Sequence, residues 1–457
     1  MMNKEFKTFI EVKTLIESIA LEVKSLGGRV VYVGGFVRDE ALCIDNKDID
    51  VEVYNITPTQ LKDILSNYGI VDEIGASFGV LKIHGVDIDF AMPRIERKVG
   101  EGHRGFDVSV NPFMSFEEAS RRRDFTINAI MKDVLTGEII DCHNGMRDIE
   151  AGVIKHIDDC TFIEDPLRVL RACQFASRFK FDIAPETIEL CRCIELSSLP
   201  KERIFEELKK ALLKAKEPSI AFEAMREMDV LEKLFPELLA LIKCEQRPDY
   251  HPEGNVWVHT MMVIDELAKL RDKSKNPLGL MLSGVCHDLG KPSATKEDED
   301  GMLKAKGHEL EGVPVAGDFM SKLTTDKTLR HFVVNMVQNH MRPNTIALHG
   351  NKKTIRKLIV DTDIEEILLL AEADHKGRGI SEEEKDYTAI RSWFDQRIEE
   401  VSTSPGKIDP LVTGKNLISE GIKPGVEMGE MLRKAFDLQL EGLSKEDILS
   451  ILLTCKH

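Results

Sequence analysis

A chain of 457 residues exceeds one domain and permits about two to four, and 42% apolar residues is enough to fill their cores. Aromatics make up only 6%, which leaves little for recognition by many stacking platforms. A net charge of −17 excludes nucleic-acid binding by bulk charge, so any such binding must rest on local basic patches.

Residues 1–27 begin MMNKEFKTFIEVKTLI, which reads as an amphipathic leading helix without the apolar core of a signal peptide. Residues 28–155 alternate strand and helix patterns and predict a small mixed α/β head. Within it, the apolar run Val30–Val33 predicts a buried strand that ends at Gly34-Gly35, where a helix carrying Arg38 opens. Paired glycines let the backbone approach an anion, and a helix start favours negative charge. Asp48 and Asp50 then flank Ile49 and lead into Val51 and Val53. Alternate strand residues share a face, so both carboxylates project together. Mg²⁺ is commonly held by one or two carboxylates plus the phosphates of its substrate. Alone, an Asp-x-Asp is usually a solvated strand and a Gly-Gly a turn; a phosphate cradle just upstream of an Asp pair points to nucleotidyl transfer.

Residues 94–115, RIERKVGEGHRGFDVSVNPFMS, are polar and glycine-containing and read as a mobile loop. Residues 121–130, RRRDFTINAI, follow. Guanidinium forks match phosphate oxygens, so the arginine run suits a triphosphate, and Asp124 offers an acceptor to a ribose hydroxyl. A basic turn capping a helix over Phe125–Ile130, with Asp124 as N-cap, is the structural alternative, and the two are compatible.

Residues 156–248 turn helical, with apolar spacing in TIELCRCIEL and RIFEELKKALLKA, and predict a neck and body. In EDPLRVLRACQF, Asp165 is an N-cap, Pro166 a first helical residue, and Arg168 and Arg171 share a face. Asp165 and Arg168 offer the acceptors and donors needed to read a Watson–Crick edge; a salt-bridged structural helix has the same sequence signature. Arg121–Arg123, Arg168, Arg171, Lys201, Arg203, Lys209 and Lys210 are expected to line one basic face.

Pro248 to Pro252 mark a linker, and residues 249–400 predict a second helical domain. It carries His259, then the adjacent His287-Asp288 before Leu-Gly-Lys-Pro, then His308, His340 and Asp374. Any one of these histidines alone is more often a core or surface residue than a ligand. Together, on segments that read as helices, they offer the donor set of a divalent Zn, Ni, Mn, Mg or Fe ion, with enough ligands for two. Lys291 suits either a phosphate or a solvated loop. The tail, 401–457, predicts a helical hairpin, with Gly414 and Gly425 near its helix starts. Nine cysteines without a C-x-x-C pair read as reduced thiols of a cytoplasmic protein. No apolar run approaches the ~20 residues of a membrane span.

Taken together, these segments resemble the bacterial tRNA nucleotidyltransferases, the CCA-adding enzymes of the eubacterial–eukaryotic class, which are related to A-adding enzymes and bacterial poly(A) polymerases. GGFVRD with KDIDVEV, RRRDFTINA, DCHNGMRDIEAGVIKHI, EDPLRVLR and KERIFEELKKAL are similar to the family's five motifs, in order. The order His…His-Asp…Asp resembles the HD phosphohydrolase superfamily. The resemblance implies an α+β multidomain chain: a polymerase-β-like nucleotidyltransferase head, an all-α neck and body, and an all-α HD domain. It implies Mg²⁺ on Asp48 and Asp50, with Asp89 of HGVDIDFAMPR as a third acid. It implies triphosphate contacts from the Gly34-Gly35 turn, Arg38 and Arg123, a ribose contact from Asp124, and base pairing by Asp165 and Arg168, supported by Arg171. Gln174 stands where the family usually has an Arg. The implied partners are tRNA, CTP and ATP, and the implied HD activity is hydrolysis of 2′,3′-cyclic phosphates and 2′-phosphates. The 94–115 loop would drive the switch from C to A addition. An A-adding enzyme, a poly(A) polymerase, or a regulatory protein with HD hydrolysis alone are the alternatives.

Overall fold

The computed structural model describes residues 9–73, 79–98, 106–402 and 407–454. The expected start of the leading segment, residues 1–8, lies outside them. The chain forms two compact units, Met1–Pro200 with Glu227–Val230, and Lys201–Arg226 with Leu231–His457. The division falls inside the segment expected as neck and body.

The first unit opens with helix α1 (Phe9–Ser25), whose Leu15, Ile16, Ile19, Ala20 and Val23 form a buried stripe at helical spacing. Strand β1 (Arg29–Val33) follows, buried from Val30 onward. Gly34 turns the chain at φ +65° into helix α2 (Gly35–Ala41). Next come β2 (Asp50–Tyr54), α3 (Pro58–Ser66), β3 (Val71–Glu73), β4 (Val80–Ile83) and β5 (Asp89–Ala91). The Thr57–Gln60 capping box and Pro58 at the first turn set where α3 begins.

The 94–115 segment is not simply a loop. Strands β6 (Arg94–Lys98) and β7 (Phe106–Val110) pair antiparallel, from Arg94↔Val110 to Lys98↔Phe106. The alternation Phe106-Asp107-Val108-Ser109-Val110 carries the strand period. Residues 99–105, between the strands, lie outside the described residues. Helix α4 (Phe116–Arg121) starts on a Ser115–Glu118 capping box. The helix expected over Phe125–Ile130 is only a 3₁₀ turn, Thr126–Asn128, because strand β8 (Met131–Asp133) begins immediately after it. Strand β9 (Ile139–Ile140) completes a seven-stranded sheet in the order β3-β4-β5-β2-β1-β8-β9. Only β2 and β5 run parallel, with Asp50 opposite Asp89. Val31, Val33, Tyr54, Ala119 and Met131 pack into one buried cluster of this unit. Helix α5 (Gly145–Ala151), the short α6 (Asp159–Phe162) and α7 (Leu167–Phe179) follow the sheet.

The second unit is helical. Helix Lys201–Lys214 buries Ile204, Leu208, Ala211 and Leu212 and packs on helices Pro277–Cys286 and His308–Leu323. That packing joins it to the later domain rather than to the segment before it. Helices Val256–Leu270, Pro277–Cys286, His308–Leu323, Lys327–Asn339 and Ile364–Lys376 form the centre of the unit. The tail is the expected packed hairpin: Val426–Glu441 and Lys445–Thr454 enclose Leu417, Met428, Ala435, Ile448 and Leu452. Each Leu, Ile or Met side chain among them contributes about 1.5–3 kcal/mol when fully buried. Among the described residues, no helix is long and apolar enough to cross a membrane.

Candidate functional site

In the first unit, Asp48, Asp50 and Asp89 line one cavity of about 550 Å³, together with Lys47 and Lys82. Asp50 opens β2, and its parallel neighbour β5 opens on Asp89, so register alone brings these two carboxylates side by side. Asp48 precedes the strand, and its N–H donates to Asn46 Oδ1 at 2.9 Å. The Lys82 ammonium lies 2.7 Å from Asp89. Partial desolvation and the Asp89 carboxylate push the Asp50 acid upward, even though Arg123 pulls it down. Hard oxygen donors whose anionic forms repel one another are the kind of group a divalent cation would relieve.

The arginine run already faces acidic partners. Arg121 donates to Asp158 through Nε and Nη2, at 2.9 and 2.6 Å. Arg123 Nη2 donates to Glu52 Oε1 at 2.9 Å, and Arg122 lies 3.6 Å from the same oxygen. A side chain at Gly34 would put its Cβ 3.2 Å from Arg123 Nη1, so the positive φ and the absence of a Cβ at Gly34 together let Arg123 approach the turn. Arg38, expected at the triphosphate, is 4% exposed. Its guanidinium donates to Asp39 and to Asn128 Oδ1, and lies over the Phe175 and Phe179 rings. Asn128 donates on to Asp124 Oδ1 at 2.9 Å, and Arg171 Nε donates to Asp124 Oδ2 at 2.7 Å. Burial opposes charge on Asp124, but Arg171 and Asn128 outweigh it and hold the acid below its ordinary range. Arg38 is therefore a member of the network behind the Gly34-Gly35 turn, not an exposed phosphate contact.

Helix α7 begins at Leu167, one residue later than expected, and Asp165 Oδ1 accepts from the Leu167 N–H. Arg168 donates to the Thr161 and Arg122 carbonyls at 2.7 and 2.6 Å, which fastens the base-reading candidate to the end of the arginine run. Gln174 is buried, and its Nε2 has no hydrogen-bond partner. An arginine would be far costlier to bury there than this neutral amide. The single basic face expected from Arg121 to Lys210 is not free charge: Lys209 and Lys210 pair with Glu206 and Glu207, and Arg121 and Arg123 are paired as described.

The second unit gathers all six expected ligands. His259 Nε2 is 3.0 Å from Asp374 Oδ1, His287 Nε2 is 3.2 Å from Asp288 Oδ2, and His308 Nε2 is 3.2 Å from Asp288 Oδ1. His340 Nε2 lies 3.1 Å from His308 Nε2. Three of the imidazoles are oriented the same way. The Nδ1 atoms of His287, His308 and His340 lie 2.8, 2.8 and 2.7 Å from the carbonyls of Gly284, Ala305 and Val337. Each Nδ1 then carries the proton, and each Nε2 presents a lone pair inward. His287 Nε2 is buried without a hydrogen-bond partner. Converging bare nitrogens beside a carboxylate are costly alone and are what a divalent ion requires. Gly290 makes the cluster possible, since a Cβ there would meet the His308 carbonyl at 2.1 Å.

Burial works against charge on His259, but hydrogen bonding to Asp374 and Glu253 raises it to about 9. Burial opposes charge on Asp374 too, and His259 holds that acid far below the carboxylate range. Burial and the neighbouring His287 push His340 down to about 4. Lys291 is 7% exposed; its ammonium sits 2.7 Å from Asp288 and donates to Gln246 Oε1, so it is part of the site rather than a solvated loop residue. A cavity of about 560 Å³ opens on Asp288, His308, His340 and Asp374, with Arg247 and Arg378 among its lining.

Sequence reasoning missed Glu253. Its Oε1 lies 2.9 Å from His259 Nδ1 and 2.8 Å from His251 Nδ1, and its Oε2 accepts from the Gly379 N–H. A carboxylate behind a ligand imidazole fixes its tautomer and raises its basicity. The signal available was the HPEGNVWVH spacing, which places an acid six residues before His259.

Residues 30–155 match the poly A polymerase head domain, and residues 180–242 match the probable RNA and SrmB-binding site of polymerase A. The multifunctional CCA protein of Actinobacillus pleuropneumoniae serotype 5b is 35% identical over 381 residues, covering 80% of this chain and 90% of that protein. The multifunctional CCA protein of Nitrosomonas eutropha is 36% identical over 331 residues, covering 70% and 77%. The fold is shared with the Thermotoga maritima CCA-adding enzyme complexed with tRNA, at TM-score 0.63 and 20% identity, covering 99% of this chain and 97% of that one. It is shared equally with the Bacillus stearothermophilus CCA-adding enzyme in complex with CTP, at TM-score 0.64 and 20% identity, covering 97% of each.

Proposed function

The chain belongs to the family of CCA-adding tRNA nucleotidyltransferases, and from that premise we propose a division of labour between its two units. The first is the nucleotidyltransferase, which adds CCA to tRNA 3′ ends from CTP and ATP without a nucleic-acid template. The observation that carries this reading is the register of β2 and β5, which sets Asp50 against Asp89 beside Asp48. The tRNA 3′-hydroxyl attacks the α-phosphate in line, a new phosphodiester forms, and pyrophosphate leaves. Asp48 and Asp50, with Asp89 beside them, would hold Mg²⁺, which would supply charge stabilisation to the reacting oxygens. The protein's own part is positioning and charge neutralisation. Arg123 and the Gly34-Gly35 turn receive the triphosphate, and Asp124 the ribose. Asp165 and Arg168 select the base, with Arg171 holding Asp124 and Arg38 bracing the same network from behind. Eight free cysteines among the described residues suit a reducing cytoplasm.

The second unit is a metal-dependent phosphohydrolase that acts on 2′,3′-cyclic phosphates and 2′-phosphates, clearing damaged tRNA ends for rebuilding. Support comes from the converging imidazole nitrogens and the cavity above them. The divalent ion, one of Ni, Mn, Mg, Zn or Fe, supplies Lewis acidity toward the ester when bound. His259, His287, Asp288, His308, His340 and Asp374 would hold it, and Lys291 would neutralise the phosphate.

Nucleotide incorporation into three tRNAs, ending just before CCA, after C and after CC, tests the first assignment. Stepwise addition of C, C and A that then stops is expected. A alone, on only the CC-ended tRNA, would make this an A-adding enzyme, and unterminated A addition to unstructured RNA would make it a poly(A) polymerase. For the second assignment, His287→Ala should abolish metal-dependent cyclic phosphodiesterase activity; full activity in that variant would refute it.

A further inference from the structure

Glu52 is an acid that nothing in the reading above uses. It lies on β2 two residues beyond Asp50, on the same strand face, and is 3% exposed. A carboxylate buried this deeply is rare unless it is paired. Its partners come from two places. Oε1 accepts from Arg123 Nη2 at 2.9 Å and lies 3.6 Å from Arg122, while Oε2 accepts from the Tyr54 hydroxyl at 2.8 Å. Arg123 in turn reaches the Asn128 carbonyl at 3.4 Å and stands against Gly34. The guanidinium is thus strung between β2 and the glycine turn. Asp50, two residues back on the same face of β2, also feels the Arg123 charge.

We propose that Glu52 is a positioning residue for nucleotidyl transfer: it anchors Arg123 at the Gly34 turn, where the triphosphate arrives, and keeps that guanidinium from pairing with Asp50 and competing with the divalent ion. The physical reason is competition. An arginine beside several carboxylates pairs with the best placed of them, and a bidentate pair with Asp50 would neutralise the charge that the incoming cation needs. Glu52 removes that option by offering an already desolvated, rigid acceptor. The inference rests on the reading of Arg123 as a triphosphate contact.

The test is a double-mutant cycle with Glu52→Gln and Arg123→Ala, read as KM for CTP and ATP, kcat, Mg²⁺ half-saturation, and CTP affinity by equilibrium dialysis. Glu52→Gln keeps the shape and removes the charge. Its KM for both nucleotides and its Mg²⁺ half-saturation should rise about 10-fold, with kcat within about threefold. In the Arg123→Ala background the same change should add nothing, because the group it positions is gone. Glu52→Asp, which retains charge but retracts it by one methylene, should fall between wild type and Gln, and it carries the test if the Gln variant does not fold. Unchanged KM and Mg²⁺ dependence in Glu52→Gln or Glu52→Asp, while Arg123→Ala weakens nucleotide binding, would overturn the proposal. So would an equal Glu52→Gln effect with and without Arg123. Normal CTP binding by Arg123→Ala would instead overturn the underlying role of Arg123.

Discussion

In the first unit, Asp48 and Asp50 stand exposed at the start of a strand, with Asp89 half-exposed on the strand beside them; in the second, four imidazoles and two carboxylates sit inside a helical core, with His259 at 0% exposure. The open site has only oxygen donors, and a cation there is completed by the phosphates it arrives with. The buried cluster has its candidate donors, three of their tautomers and the Glu253 carboxylate already in place. On the function proposed above, the oxygen-only set suits an ion that comes and goes with substrate, and the nitrogen-rich set an ion that stays.

The sharpest way to break this comparison is to remove one acid from each site. Asp50→Asn should reduce nucleotide incorporation by about 10³-fold or more, since it takes charge from where the reacting oxygens are neutralised, and cyclic phosphodiesterase activity should not change. Asp288→Asn should do the reverse, abolishing hydrolysis and leaving incorporation intact. Assaying both activities on both variants checks the separation; a variant losing both would contradict it. A smaller effect is expected behind the closed site. Glu253→Gln should weaken metal binding about 10- to 100-fold, measured by competition with a chelating dye, because the acceptor behind His259 Nδ1 loses its negative charge and the imidazole its added basicity. In the open site, Arg168→Ala should alter the CTP/ATP preference more than total nucleotide affinity, and an unchanged preference would remove Arg168 from base reading. The smallest effect belongs to Arg121. It is already committed to Asp158, so Arg121→Ala should leave KM for CTP within about twofold.

The same contrast explains what could be read from the sequence. Asp50, His287 and Asp288 were legible as candidates because strand position and adjacency need no knowledge of distant contacts, whereas Asp48 lies before β2, outside the strand whose alternation was to pair it with Asp50. Glu52 was not legible, because in VEV it reads as one more polar strand residue, and its partner Arg123 lies 71 residues away. Arg38 reads, from its place after the glycine turn, as a triphosphate contact. Only the fold reveals that Asn128, 90 residues on, and the Phe175 and Phe179 rings enclose it. The 94–115 segment misled because its glycines and charges outweighed a short alternating run. The boundary at Pro200 was hidden because helix Lys201–Lys214 has the same amphipathic pattern whichever unit it packs on.

Metal analysis of the purified protein after prolonged dialysis without chelator or nucleotide bears most directly on the claim that one site keeps its ion and the other borrows it. The account predicts about one or two divalent ions retained per chain in the wild type and in Asp50→Asn, and none in Asp288→Asn. A metal-free wild type, or retention lost in Asp50→Asn but kept in Asp288→Asn, would contradict it.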